Sequence, residues 1–136
     1  MSEKIDNKYL AKTFDLEQDD FWEHPQSGKW IITHHACMKI ADQKGIVFER
    51  PEIIVKAIDS GRITLLGYAY LYSGDDKIVK WTHGEVNPKN CFIPYPWAVA
   101  EKRLKDRLTL MLVSVYGHVY SEVEAQEFEA RQLAQD

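Results

Sequence analysis

The chain has 136 residues, of which 45% are apolar, 28% charged and 12% aromatic, with a formal net charge of −4. That composition excludes a disordered acidic tail, a collagen-like chain and a low-complexity polymer, and it predicts one domain with a core large enough to fold alone. The longest apolar stretches, such as residues 108–116, hold about half of the ~20 residues a membrane-spanning helix needs, and the N-terminus has no apolar segment of the kind a secretory signal requires. The expected location is therefore the cytoplasm, with no membrane partner.

Residues 1–27 are predicted to form a polar, acidic N-terminal arm, and residues 28–136 a single α+β domain. The arm's aromatics Phe14, Phe21 and Trp22 are interrupted by Asp19 and Asp20, a pattern of short segments docking onto a body. Pro25, Ser27 and Gly28 mark a turn. Thr33 is placed to cap a helix of about three turns that Gly45 ends, with Ala36, Cys37, Ile40 and Ala41 on its inner face. From Glu52 the period changes to two, giving three strands joined by turns at Asp59-Ser60-Gly61-Arg62 and Ser73-Gly74-Asp75-Asp76. In the second strand Tyr68, Tyr70 and Tyr72 share one face, while Leu65, Gly67, Ala69 and Leu71 share the other. Asn87-Pro88-Lys89-Asn90 breaks the sheet, and Pro96 opens a helix predicted to reach about Tyr116, with Leu104, Leu108, Met111, Leu112 and Val115 as its apolar stripe. Ser121 and Glu124 are spaced as a capping box for a short acidic helix to about Ala134. The expected architecture is a three-stranded antiparallel meander flanked by an N-terminal helix and a long C-terminal helix, a βββα core.

Few motifs carry chemistry. His34, His35 and Cys37 share one helix, but adjacent histidines point about 100° apart and no HxxxH, HExxH or paired CxxC follows, so no metal is expected. Cys37 and Cys91 stand far apart and outside any CxxC, which suits reduced thiols; Cys37 reads as a small core residue. With no GxGxxG, Walker A or GxSxG sequence, neither a nucleotide cofactor nor an enzyme is expected. A metal-dependent nuclease built on His34, His35, Asp75 and Asp76 is a minority reading, since Asp75 and Asp76 serve equally as turn formers.

Charge is segregated. Residues 1–27 carry 3 basic and 7 acidic groups and residues 121–136 carry 1 and 5, whereas residues 77–107 carry 7 basic and 3 acidic. In that middle segment Lys77, Lys80, Lys89, Lys102, Arg103, Lys105 and Arg107 alternate with Trp81, Tyr95 and Trp97. Phosphates need cations and unpaired bases need flat apolar faces, so the pattern suits single-stranded nucleic acid. The competing reading makes the basic groups a solvated helix face and has Trp81 and Trp97 close the core.

The stretches THGEVNPKN and YPWAVAEKRLKDRLTLMLVSVYGHVYSEVEAQEF resemble a group of small phage-encoded proteins with the pattern GE, an Asn-Pro loop, YP, A-AEKR-KDR, an apolar helix and YSE-E. Residues 52–120 more remotely resemble the core of the single-strand annealing proteins of phage recombination, the Rad52, Erf and Red-beta class. That resemblance implies a ring- or filament-forming homo-oligomer acting in the host-cell cytoplasm. It would lay single-stranded DNA along a basic groove between sheet and helix and anneal complementary strands without nucleotide hydrolysis. Lys102, Arg103, Lys105 and Arg107 would then hold phosphates from an exposed helix start, with Lys77, Lys80 and Lys89 extending the track. The alternative function is a non-catalytic interaction protein, a DNA mimic among its forms, that binds a phage or host protein through its acidic ends.

Overall fold

The computed structural model describes residues 11–25, 28, 30–57, 60–90, 94–113 and 119–121. In chain order these form a 3-10 turn Gln18–Asp20, β1 Phe21–Glu23, β2 Trp30–Ile32, α1 His34–Lys44, β3 Val47–Phe48, β4 Glu52–Ala57, β5 Arg62–Ser73, β6 Asp76–Val86, α2 Pro96–Leu112 and β7 Val119–Ser121. The fold is α+β.

The local signals act as expected where they are strongest. The Thr33 side chain accepts from the Ala36 amide at 3.0 Å, and Gly45 takes the left-handed conformation (φ 66°) that closes α1. Ala36, Cys37, Ile40 and Ala41 are the buried residues of that helix. Gly61 and Gly74 supply the positive φ of the two tight turns, and β4, β5 and β6 pair antiparallel in sequence order. Pro96 occupies the first turn of α2.

Four short strands lie outside that expectation. β3 pairs with the far end of β5, on the side of β5 that β4 occupies nearer its start. β1, β2 and β7 make a second small sheet in which β2 pairs antiparallel with β1 and parallel with β7. Thus β1 in the N-terminal segment pairs directly with β2 in the body, and Phe14 is buried against Ile32, Ala36, Cys37 and Ile40. The acidic helix expected at 121–134 lies outside the described residues apart from Ser121, which ends β7. The last residues of α2 predicted up to Tyr116 lie outside them as well; among the described residues the helix ends at Leu112, with Val113 as its cap.

α2 is the middle layer. One side carries Val99, Ala100, Leu104, Leu108 and Leu112 into a core with Ile63, Leu65, Ala69, Leu71 and Val86. Its other side sends Leu110 into the cluster built on α1, β2 and Phe14. Glycines set the depth of the helix on the sheet. A Cβ at Gly84 would stand 2.2 Å from the Ala100 carbonyl oxygen, and one at Gly67 would stand 2.5 Å from a Leu104 methyl. Among the described residues, no helix is long and apolar enough to cross a membrane.

Candidate nucleic-acid interface

The basic residues of α2 divide into two kinds. Arg103 and Arg107, expected on an exposed face, are 1% and 8% exposed. One turn apart on α2, they reach β6, which has no strand on its other side among the described residues. Arg103 donates to the carbonyl of Glu85 at 2.9 Å and to that of Asn90. Arg107 donates to the His83 carbonyl at 2.6 Å and grips both Glu85 carboxylate oxygens at 2.8 and 3.0 Å. The two carbonyls of β6 are two residues apart and so share one edge, and the guanidiniums take the place a neighbouring strand would fill. This corrects the assignment of Arg103 and Arg107 to phosphates: their donors are engaged inside the fold.

Glu85 records the same arrangement. Burial pushes its carboxyl up, but the hydrogen bonds and charge of Arg107, with the charge of Arg103, outweigh burial and hold it below the usual value of 4.5. Lys105 is also partly engaged, paired with Glu101 at 2.8 Å across one turn and lying 5.8 Å from the Phe48 ring. Lys102 is exposed. The expected basic groove between sheet and helix is instead close-packed, with Leu104 seated against Gly67 and Gly84. A cleft of about 180 Å³ does open on the other flank of α2, lined by Phe48, Glu49, Pro51, Glu101, Leu104, Lys105 and Leu108, but its rim is more acidic than basic.

The remaining candidates fall in two places. Tyr95, Trp97 and Lys102 are exposed around the start of α2, with Lys89 exposed in the preceding loop. Lys77 and Trp81 lie on β6, on the sheet face turned away from α2. That face is where the structure adds residues. The β5–β6 register sets Tyr68 opposite Trp81, Tyr70 opposite Val79 and Tyr72 opposite Lys77, and directly opposed residues share a face. Tyr68, Tyr72 and Trp81 are 39%, 61% and 58% exposed, and Val79, Val47 and Val55 are exposed around them. The Lys77 ammonium lies 4.1 Å from the centre of the Tyr70 ring, and His83 meets Trp81 edge-on at 6.0 Å. Lys80, opposite the buried Ala69, belongs to the other face of the strand and is exposed there. The alternation of Tyr68, Tyr70 and Tyr72 already signalled this platform, because a tyrosine row opposite a buried Leu/Ala row must face outward.

The minority metal site is not assembled. His34 Nδ1 is 2.6 Å from Asp106 Oδ1 of α2, His35 is exposed, and Asp75 and Asp76 sit in the hairpin turn. Among the described residues no three His, Cys, Asp or Glu side chains are grouped to hold a metal ion. Cys37 is a buried free thiol, and Cys91 lies outside the described residues. Compared with protein-family models, curated proteins and solved structures, the chain matches none of them.

Proposed function

We propose that this chain binds single-stranded nucleic acid on the outer face of β5 and β6 and, as a homo-oligomer, promotes the annealing of complementary strands without catalysis or nucleotide hydrolysis. The observation that carries the reading is the exposed set Tyr68, Tyr72 and Trp81 on one sheet face, with Lys77 among them. A soluble domain leaves large aromatics in solvent at a cost, and a row of them beside a cation is the arrangement that stacks bases and neutralises their phosphates. The resemblance to single-strand annealing proteins supports the annealing step, the oligomer and DNA as the ligand. Lys102, Tyr95, Trp97 and Lys89 form a second exposed group on the helix side.

The test is fluorescence anisotropy of a labelled single-stranded oligonucleotide, with duplex of the same sequence alongside, at about 50 and about 200 mM salt. Single-strand binding should fall with salt, with a log-log slope of about −0.7 per phosphate neutralised. Trp81→Ala should weaken binding about tenfold, since one stacked base is worth about 1–3 kcal/mol. No binding at either salt, or binding indifferent to Trp81→Ala and Tyr68→Ala, refutes the sheet-face reading.

A further inference from the structure

We infer that the outer edge of β6 is an interface for a second copy of this chain: two β6 strands pair antiparallel about a twofold axis at Ile78, with Asp76 of each copy facing Lys80 of the other. This contact would assemble the homo-oligomer proposed above, and it rests on that part of the reading alone. β6 pairs with β5 on one side and has no strand on the other among the described residues. Its register with β5 runs without a shift from Ile63–Val86 to Ser73–Asp76. The strand therefore alternates regularly, and the carbonyls of His83 and Glu85, which accept from Arg107 and Arg103, fix which residues point outward. Lys77, Val79 and Trp81 turn their backbone N–H and C=O groups to that same outer side. The arginines thus close the edge at His83 and Glu85 and leave it open from Asp76 to Trp81, where every residue is exposed, Ile78 by 37% and Val79 by 50%. β4, on the opposite side of β5, carries a register shift between Ile53 and Val55, an irregularity that blunts an edge.

Two such edges fit together in few ways. Antiparallel pairing joins outward-pointing residues to outward-pointing residues, so Lys77, Val79 and Trp81 must meet one another across the axis. An axis at Lys77 sets the two copies of that lysine face to face. An axis at Lys80 does the same to Lys80 and drives Lys77 of the second copy onto the His83 carbonyl that Arg107 holds. An axis at Val79 leaves Asp76 opposite Thr82 and Lys80 opposite Ile78. With the axis at Ile78, Asp76 meets Lys80 twice, Ile78 meets itself and Lys77 meets Val79, joined by about four backbone hydrogen bonds, and the ladder ends before His83. Lysines on an edge ordinarily guard against pairing. In this register each faces a carboxylate or an apolar side chain, and opposite charges directly across a ladder attract. Among the described residues no ion pair within the chain engages Asp76 or Lys80. Asp76, Ile78 and Lys80 stand opposite Ser73, Leu71 and Ala69, on the α2 face, so Lys77 and Trp81 keep to the outer face and the two aromatic platforms become continuous.

The experiment is sedimentation velocity of the full chain without nucleic acid from about 1 to about 200 μM, since a contact this small holds weakly. The parent chain should show a concentration-dependent monomer–dimer equilibrium. Asp76→Lys and Lys80→Asp should each raise the dimer dissociation constant about tenfold by setting like charges opposite, and the double swap Asp76→Lys/Lys80→Asp should restore it. Asp76→Lys also brings the net charge of −4 nearer zero, so weakening by that change is not general repulsion. Ile78→Cys should form an intermolecular disulfide under mild oxidation, because residues paired at the axis stand about 4.5 Å apart at Cα, within disulfide reach. Val79→Cys should cross-link no more than the parent chain, whose own Cys37 and Cys91 set the background. A parent chain that stays monomeric, an oligomer indifferent to both charge changes, or cross-linking at Val79→Cys in place of Ile78→Cys overturns the inference. Oligonucleotide anisotropy on the same parent chain separates the two readings. A dimer that binds no oligonucleotide refutes the nucleic-acid reading and supports this interface, whereas a monomer that binds one overturns the interface alone.

Discussion

Replacing Arg107 by Met tests the placement of the arginines directly, because the aliphatic stem is kept while the guanidinium is lost. Three hydrogen bonds go: one to the His83 carbonyl and two to the Glu85 carboxylate. Bonds to charged groups contribute about 1.5–3 kcal/mol in net terms, and breaking a fully buried ion pair costs about 3–5. Arg107 is 10% exposed in its side chain, but Glu85 is 37% exposed, so the stranded carboxylate recovers part of its hydration and the lower range applies. Adding the edge carbonyl gives an expected loss of about 2–3 kcal/mol. Urea unfolding followed by circular dichroism at pH 7 measures it, with Glu85→Gln and the double variant completing a thermodynamic cycle. The coupling should be about 1–2 kcal/mol. A loss below about 0.5 kcal/mol, the range of ordinary surface substitutions, would refute the claim that Arg107 seals the β6 edge and return it to the pool of solvent-facing cations.

Other outcomes follow from the same geometry. Because the carboxyl of Glu85 is held below its unfolded value of 4.5, the unfolded chain takes up a proton first. Its stabilisation is then complete above about pH 4.5 and fades as pH falls through the lower folded value, and Arg107→Met should flatten that acid limb in a series of melts. Gly84→Ala forces a methyl to within 2.2 Å of a helix backbone oxygen, whereas Gly67→Ala meets only the end of the Leu104 side chain; Gly84→Ala should be the worse by at least about 1 kcal/mol in chemical unfolding. Thr33→Ala removes the cap on Ala36 and should cost about 1 kcal/mol, with α1 amides exchanging faster by NMR. On the functional side, Lys77→Ala should shallow the salt dependence of oligonucleotide binding by about 0.7 in slope.

The meander, α1 and most of α2 were legible because their signals are local: alternation with Gly turns, a Thr cap, a Pro first turn. The small sheet was not, since its strands are three residues each and β2 meets β7 in parallel across most of the chain, a pairing no local period announces. Arg103 and Arg107 looked like half of a solvated basic face by composition. Their spacing held a clue that composition hid: Val99, Arg103 and Arg107 form one four-residue row beside the row Ala100, Leu104 and Leu108, and residues on adjoining rows of one helix are buried together. Lys102 follows Ala98 on a row that is exposed at these two positions and becomes buried one turn later, at Asp106. The aromatic platform is half visible in the sequence, because alternation puts the three tyrosines on one face whereas Trp81 suits core closure as well as stacking. Which residue of β6 stands opposite which tyrosine depends on the hairpin register, and that is set by the turn at Gly74.

α2 also determines how the molecule comes apart. It supplies Leu104, Leu108 and Leu112 to one hydrophobic cluster and Leu110 to the other, and its Asp106 is tied to His34 of α1. Neither cluster therefore keeps a complete wall once the helix leaves. Melting should proceed as one cooperative transition, with the amide protons of residues 103–110 exchanging only through global opening, while those of Tyr72–Trp81 at the hairpin end exchange through local fraying.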